Sequence, residues 1–237
     1  MIEKKQLTVF SIMVFILIFC YQAAYAAQFQ GSLTFNMGFP QGEFNENLEK
    51  NGFGLGFNFG VKMGKSPFVL GAEMGILNYG QDTRYESFYN IPDLVVKVVN
   101  SYNILQGHVF LRFQPTARGS FHPYIDALLG LNYLWAQTSI EDNDDEGDIS
   151  SVNYDDTASS YGIGGGLMVR LGGAKERHSQ KKIMEFLLDF RVRYLWGGNA
   201  EYLQEGSIVV DGQEVTYYVS ESKTDLLTFQ IGFALNF

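Results

Sequence analysis

The sequence predicts an all-β fold: an eight-stranded antiparallel transmembrane β-barrel, wound as an up-and-down meander and preceded by a cleaved signal peptide. Three observations predict it. Eight segments alternate apolar residues with polar or small ones at a period of two, which sends successive side chains to opposite faces of a strand. The connections between them alternate short and long. The last segment is the most regular, with Phe229, Ile231, Phe233, Leu235 and Phe237 separated by Gln230, Gly232, Ala234 and Asn236.

The segments follow in order. The first sets Phe29, Leu33, Phe35, Met37 and Phe39 against Gln28, Gln30, Ser32, Thr34 and Asn36. The second sets Phe53, Leu55, Phe57, Phe59, Val61 and Met63 against four glycines, Asn58 and Lys62. The third runs from Phe68 through Leu70, Ala72, Met74 and Ile76, with Glu73 between two glycines on the other face. The fourth has Leu105, Val109, Leu111 and Phe113 outward, and Gln106, His108, Arg112 and Gln114 inward. The fifth points Ile125, Ala127, Leu129, Leu131, Tyr133 and Trp135 out over Asp126, Gly130 and Asn132. The sixth points Tyr161, Ile163, Leu167, Val169 and Leu171 out over Gly162, Gly164, Gly166 and Arg170. The seventh carries Met184, Phe186, Leu188, Phe190, Val192, Tyr194 and Trp196 over Glu185, Asp189, Arg191 and Arg193. Segments of this length cross a bilayer when tilted. Gly64–Pro67, Pro115–Pro123 and Gly172–Lys182 are the shorter connections. Pro40–Asn51, Gly80–Ser101, Gln137–Ser159 and Gly197–Ser222 are the longer ones. Membrane barrels have short turns at one end and long loops at the other, and an even strand count puts both termini at the short-turn end.

Lys4 and Lys5, the apolar run Leu7–Cys20 and Ala24-Tyr25-Ala26 read as a secretory signal cut after Ala26, leaving residues 27–237 as the barrel domain. A retained membrane anchor over Leu7–Ala26 is the alternative, and a lipoprotein site at Cys20 is disfavoured by the bulky Phe19 before it. Cleavage removes the only cysteine, so the mature chain needs no disulfide. It also removes Glu3, Lys4 and Lys5, which makes a chain of net charge −9 more acidic by one unit. Such acidity excludes nucleic acid as the expected partner.

Trp135 and Trp196, the only tryptophans, each close a Tyr-Leu-Trp triplet with Tyr133 and Tyr194, where amphipathic rings favour the lipid–water boundary. A lipocalin-like soluble barrel would turn its apolar face inward around a ligand. Here the opposite face carries the charges, and the apolar face continues around all eight segments, a severe exposed patch in water.

The terminal Phe229–Phe237 alternation resembles the C-terminal signature by which bacterial outer-membrane barrels are recognised for assembly. With Pro123-Tyr124-Ile125-Asp126-Ala127-Leu128-Leu129-Gly130-Leu131 and Gly162-Ile163-Gly164-Gly165-Gly166, residues 28–237 resemble the small outer-membrane barrel family of the OmpA, OmpX and OmpW kind. A leucine stands at one usual glycine position, and no peptidoglycan-binding domain is expected after the barrel. The resemblance implies the outer membrane of a Gram-negative (diderm) bacterium, both termini periplasmic. It implies outer-membrane lipid and lipopolysaccharide around the wall, and the barrel-assembly machinery as a partner of the last strand. Family members serve as porin-like proteins, adhesion or resistance factors, and envelope scaffolds.

An eight-stranded lumen is about wide enough for its own side chains. Inward cations Lys62, Arg112, Arg170, Arg191 and Arg193 nearly balance inward anions Glu73, Asp126, Glu185 and Asp189. Each short turn joins two strands bearing one cation and one anion. The expected pairs are Lys62 with Glu73, Arg112 with Asp126 and Arg170 with Glu185, with Asp189 extending the network past Arg191. His108 points into the same lumen. His122 and His178 fall in turns, and no serine sits in a nucleophile motif, so no enzyme is expected and no cofactor. Asp142-x-Asp144-x-Glu146-Gly147-Asp148 matches the first half of a calcium loop, but Asn153 stands where the closing glutamate belongs. Calcium is thus the one candidate ligand, and a solvated acidic loop the plain alternative. Phe44, Tyr85, Phe88, Tyr89, Tyr154, Tyr202, Tyr217 and Tyr218 populate the loops, to meet a surface ligand or to pack together. The expected role is structural or surface-binding, with a charge-plugged lumen; a narrow porin-like channel for small solutes is the alternative.

Overall fold

A computed structural model describes residues 28–62, 64, 66–87, 95–115, 119–141, 149–175, 182–211 and 214–237. The signal segment 1–26, the acidic loop with Asp142, Asp144, Glu146 and Asp148, and Phe88, Tyr89 and His178 lie outside the described residues.

Eight strands close a barrel: β1 (Gln28–Pro40), β2 (Gly52–Lys62), β3 (Phe68–Ser87), β4 (Val95–Phe113), β5 (Phe121–Glu141), β6 (Ile149–Lys175), β7 (Lys182–Gly197) and β12 (Leu226–Asn236). Each pairs antiparallel with its neighbours in a meander, and β1 pairs with β12 to close the ring. Phe29 and Phe237 exchange backbone hydrogen bonds of 2.8 and 2.9 Å, so both described ends of the chain sit at one end of the barrel.

The alternation seen in the sequence sets the two faces. Leu33, Leu55, Met74, Leu129, Ile163 and Phe233 stand outward and exposed, while Ser32, Asn58, Arg112, Asp126 and Arg193 are buried inside. Aromatic rings gather at the two rims of this apolar wall. Phe29 stacks on Phe59 and on Phe237 at the terminal end, each at 5.8 Å. At the other rim Tyr133 stacks on Trp135 at 5.6 Å and Tyr161 on Trp196 at 5.5 Å. From Phe121 to Tyr133 on β5, a strand tilted by ~40° climbs roughly 30 Å, close to the ~25 Å apolar band of membrane barrels.

In two connections read as long loops, the described residues are strand. β3, β4, β5 and β6 reach 20, 19, 21 and 27 residues, and their ladders run up to Ser87↔Val95 and Ile140↔Ile149. The alternation disappears there because no lipid faces these turns of the wall. Gln81, Asp82, Thr83 and Ser139 need not be apolar on either side, while the valines of β4 keep the extended backbone.

The other two long connections fold over the mouth. The first holds a short helix, α1 (Glu43–Leu48), and the last holds β8 (Asn199–Tyr202), β9 (Ile208–Asp211), β10 (Glu214–Tyr217) and β11 (Ser220–Lys223). β8 pairs with β11 and β9 with β10. Phe44 and Leu48 of α1 are buried against Tyr202 and Leu203, and beneath them Leu77, Tyr79, Tyr102, Ile104, Leu134 and Leu195 fill the upper lumen. The rings of Phe44 and Tyr202 meet edge-on at 5.1 Å. These two aromatics therefore plug the barrel, whereas Tyr85, Tyr217 and Tyr218 are exposed.

Candidate functional site in the barrel lumen

Below the apolar cap, the strand register assembles a ring of charged side chains. Arg112 on β4 stands opposite Asp126 on β5. Its guanidinium grips the carboxylate twice, Nε to Oδ1 at 2.8 Å and Nη2 to Oδ2 at 3.0 Å, the planar two-point match that arginine makes best. Oδ2 also accepts from Nη2 of Arg193 at 2.8 Å, although Arg193 lies two strands away on β7. Gly164 of β6 sits between them in the ladder, Asp126↔Gly164↔Arg193. A Cβ there would stand 2.3 Å from Cγ of Arg193, so the missing side chain is what lets β5 and β7 meet across β6.

Arg193 turns its other terminal nitrogen to Glu73 on β3, and Nη1 of Arg191 lies 3.9 Å from the same carboxylate. Nε of Arg191 donates to Oδ2 of Asp189 at 2.9 Å. Oδ1 of Asp189 accepts from the Tyr124 hydroxyl at 2.6 Å, and the Tyr124 ring lies 3.7 Å beneath the guanidinium of Arg112. The circuit thus returns to its start. Three cations (Arg112, Arg191, Arg193) and three anions (Glu73, Asp126, Asp189) cancel, five of them almost wholly buried. Neutral groups use further donors, and only Nε of Arg193 among the three guanidiniums is left without a hydrogen bond. Gln30 accepts from Nη1 of Arg112 at 2.8 Å, and Ser32 from Nη2 of Arg191 at 2.7 Å. Such a closely connected network is how buried charge is tolerated at low dielectric.

His108 joins the ring from above. Its Nε2 lies 2.9 Å from Oγ of Ser160, and its Nδ1 3.5 Å from Oε1 of Glu73. Gly130 lies between His108 and Ser160 in the ladder and leaves the room for the imidazole to span it. Serine, histidine and carboxylate follow one another as in a hydrolytic triad. Ser160 is, however, 0% exposed, so no carbonyl substrate reaches it in this conformation, and Glu73 is engaged by Arg193.

Of the pairs expected from the sequence, Arg112 meets Asp126, and Arg170 meets Glu185 at 3.6 Å in a half-exposed contact at the terminal end. Lys62 does not meet Glu73. The register sets Lys62 opposite Val69 and Glu73 opposite Asn58, and the two arginines of β7 draw Glu73 across the lumen instead. Tyr124 and Ser160 were missed. Both stand at inward positions of their strands, the signal that could have found them. At the cap, Asn47 donates to the Tyr202 hydroxyl at 2.9 Å, which pairs with Oγ of Ser222 at 2.8 Å, while Tyr79 donates to the carbonyl of Leu203 at 3.1 Å. On the outer end of β6 the Tyr154 hydroxyl donates to Glu201, and this bond pushes its pKa up to about 12.

Between ring and cap the lumen leaves a cavity of about 10 Å³ lined by Asn36, Glu73, Gln106 and Arg191, room for about one water. Among the described residues no cluster of three metal-ligating side chains occurs.

No protein family and no curated protein matches the chain. Among solved structures it is similar to the outer membrane protein OprG from Pseudomonas aeruginosa, at 15% identity over 90% of this chain and 96% of that one, TM-score 0.41. It is also similar to Neisserial surface protein A, at 10% identity over 89% and 96%, TM-score 0.41. A third is Ail, the attachment invasion locus protein of Yersinia pestis, solved with the heparin analogue sucrose octasulfate, at 12% identity over 89% and 97%, TM-score 0.38.

Proposed function

We propose that this chain is an outer-membrane barrel with a structural or surface-binding role, its lumen sealed and its outer turns displayed to the exterior. One observation carries the reading. A wall apolar all around encloses a lumen blocked twice, by a charge-balanced ring and by the cap formed from α1 and the β8–β11 region. Two such layers in series support a closed lumen over a path for diffusible solutes. The exposed aromatics Tyr85, Tyr217 and Tyr218 at the outer end suit contact with a surface ligand. On this reading the terminal end faces the periplasm, β12 is the strand offered to the assembly machinery, and lipid and lipopolysaccharide surround the wall. No catalytic role is assigned to Ser160 or His108. Calcium at residues 142–148 stays a proposal for titration.

Planar-bilayer recording on refolded protein tests the seal: the intact barrel gives no large steady conductance. A stable open channel in the unmodified protein would reject this role in favour of a narrow pore for small solutes. Quenching of Trp135 and Trp196 by brominated lipids places the wall: both are quenched most by bromines near the headgroup. Insensitivity to every brominated lipid would reject the membrane-spanning reading.

A further inference from the structure

At the end of the barrel where Phe29 meets Phe237, beneath the charged ring, a vestibule of about 110 Å³ opens between β1, β2, β3, β5, β7, β12 and the residues just after β4. Two side chains there have hydrogen-bonding capacity that the protein does not use. The first is Lys62. The inward arginines 112, 170, 191 and 193 each have a carboxylate partner, whereas the Lys62 ammonium has no ion pair among the described residues. The second is Gln114, only 6% exposed, whose amide nitrogen reaches nothing better than the thioether of Met168 at 4.0 Å. A thioether is a weak acceptor, so an occupant that takes this amide's hydrogen bonds in its place is favoured. Gln28 stands directly across the ladder from Lys62 and adds a second amide. The one carboxylate in the lining, Glu185, is already held by Arg170 at 3.6 Å and by Asn236 at 3.5 Å. Beside His122, which also lines the vestibule and is engaged elsewhere, the functionality turned to it is a cation and amide donors.

We propose that this vestibule binds one small oxyanion of the phosphate type, with Lys62 supplying charge and Gln114 and Gln28 supplying N–H donors. The volume is several times the ~10–15 Å³ that admits one water on this measure, and so admits a tetrahedral oxyanion with water beside it. The site is defined by the lumen alone and stands whether or not the outer cap binds a surface ligand.

The test is calorimetric titration of the refolded full chain, in phosphate-free buffer of low ionic strength, with sodium phosphate and in parallel with monomeric dihexanoyl phosphatidic acid. Sodium chloride at matched ionic strength is the blank. One saturable site for phosphate is expected. Lys62→Gln should weaken it at least tenfold, and Gln114→Leu severalfold, while both variants keep the heat-sensitive gel migration of a closed barrel. If the lipid phosphate binds as tightly as the inorganic ion, the anion can arrive as a headgroup; if only the inorganic ion binds, it arrives free. Both support the oxyanion site. Absence of saturable heat in the unmodified protein overturns the proposal, and so does a Lys62→Gln variant that binds phosphate as the unmodified protein does.

Discussion

Asp126→Asn is the sharpest probe of the ring. The substitution keeps the shape of the side chain and removes one negative charge from a set that otherwise cancels. Asp126 accepts three hydrogen bonds of 2.8–3.0 Å, two from Arg112 and one from Arg193. In the variant Arg112 keeps only neutral partners and the aromatic face of Tyr124, while Arg193 retains Glu73. Removing one member of a buried pair typically costs ~3–5 kcal/mol, because it leaves an uncompensated charge at low dielectric. The double variant Arg112→Gln/Asp126→Asn removes one charge of each sign and restores the balance. It should recover about 1–3 kcal/mol relative to the sum of the two single changes. Urea titration of refolded protein in detergent, followed by heat-sensitive gel migration and tryptophan fluorescence, reads both numbers. An unchanged urea midpoint for Asp126→Asn, or strict additivity in the double variant, would refute the interlocked ring.

Gly166→Ala places a Cβ 2.3 Å from the Tyr124 ring and hydroxyl; it should cost about 1–3 kcal/mol by the same titration, with Tyr124→Phe costing roughly 1–2 through loss of the bond to Asp189. Phe44→Ala should leave the wall intact while its cavity, worth ~3–5 kcal/mol, loosens the cap, so limited proteolysis should cut α1 or the β8–β11 region in the variant first. At high pH the Tyr154–Glu201 contact should fail in a set window. The folded pKa, raised from 10 to about 12, makes the contact fully present below pH 10 and lost as pH climbs through 12, and Glu201→Gln should return the phenol absorbance titration toward 10.

The wall was legible in the sequence because lipid imposes a period that nothing else overrides. Leu33, Leu55, Ile163 and Phe233 could be assigned to the outer face from alternation alone. Where lipid ends the constraint ends, and so the upper halves of β3 to β6 read as loops. The candidate site was half legible. Inward charge could be listed strand by strand, but partner choice depends on stagger between strands distant in the chain. Arg193 reaches Asp126 only because Gly164 carries no side chain between them, and Glu73 meets β7 across the lumen because the register sets Lys62 four residues away from it along the neighbouring strand. The apolar cap was illegible for another reason. Phe44 and Tyr202 lie in connections, where the same aromatic composition serves display or burial equally well.

Closure of β1 on β12 has a kinetic consequence. Gln30 finds Asn236 across 206 positions of chain, and the ladder from Gln30↔Asn236 to Pro40↔Leu226 forms only when both are present at once. Loop-closure entropy at such separations slows folding, and until that last seam zips, β1 and β12 each show a raw edge of unpaired amides and carbonyls. A nascent wall of this kind therefore depends on being shielded from self-association until its seam is sealed.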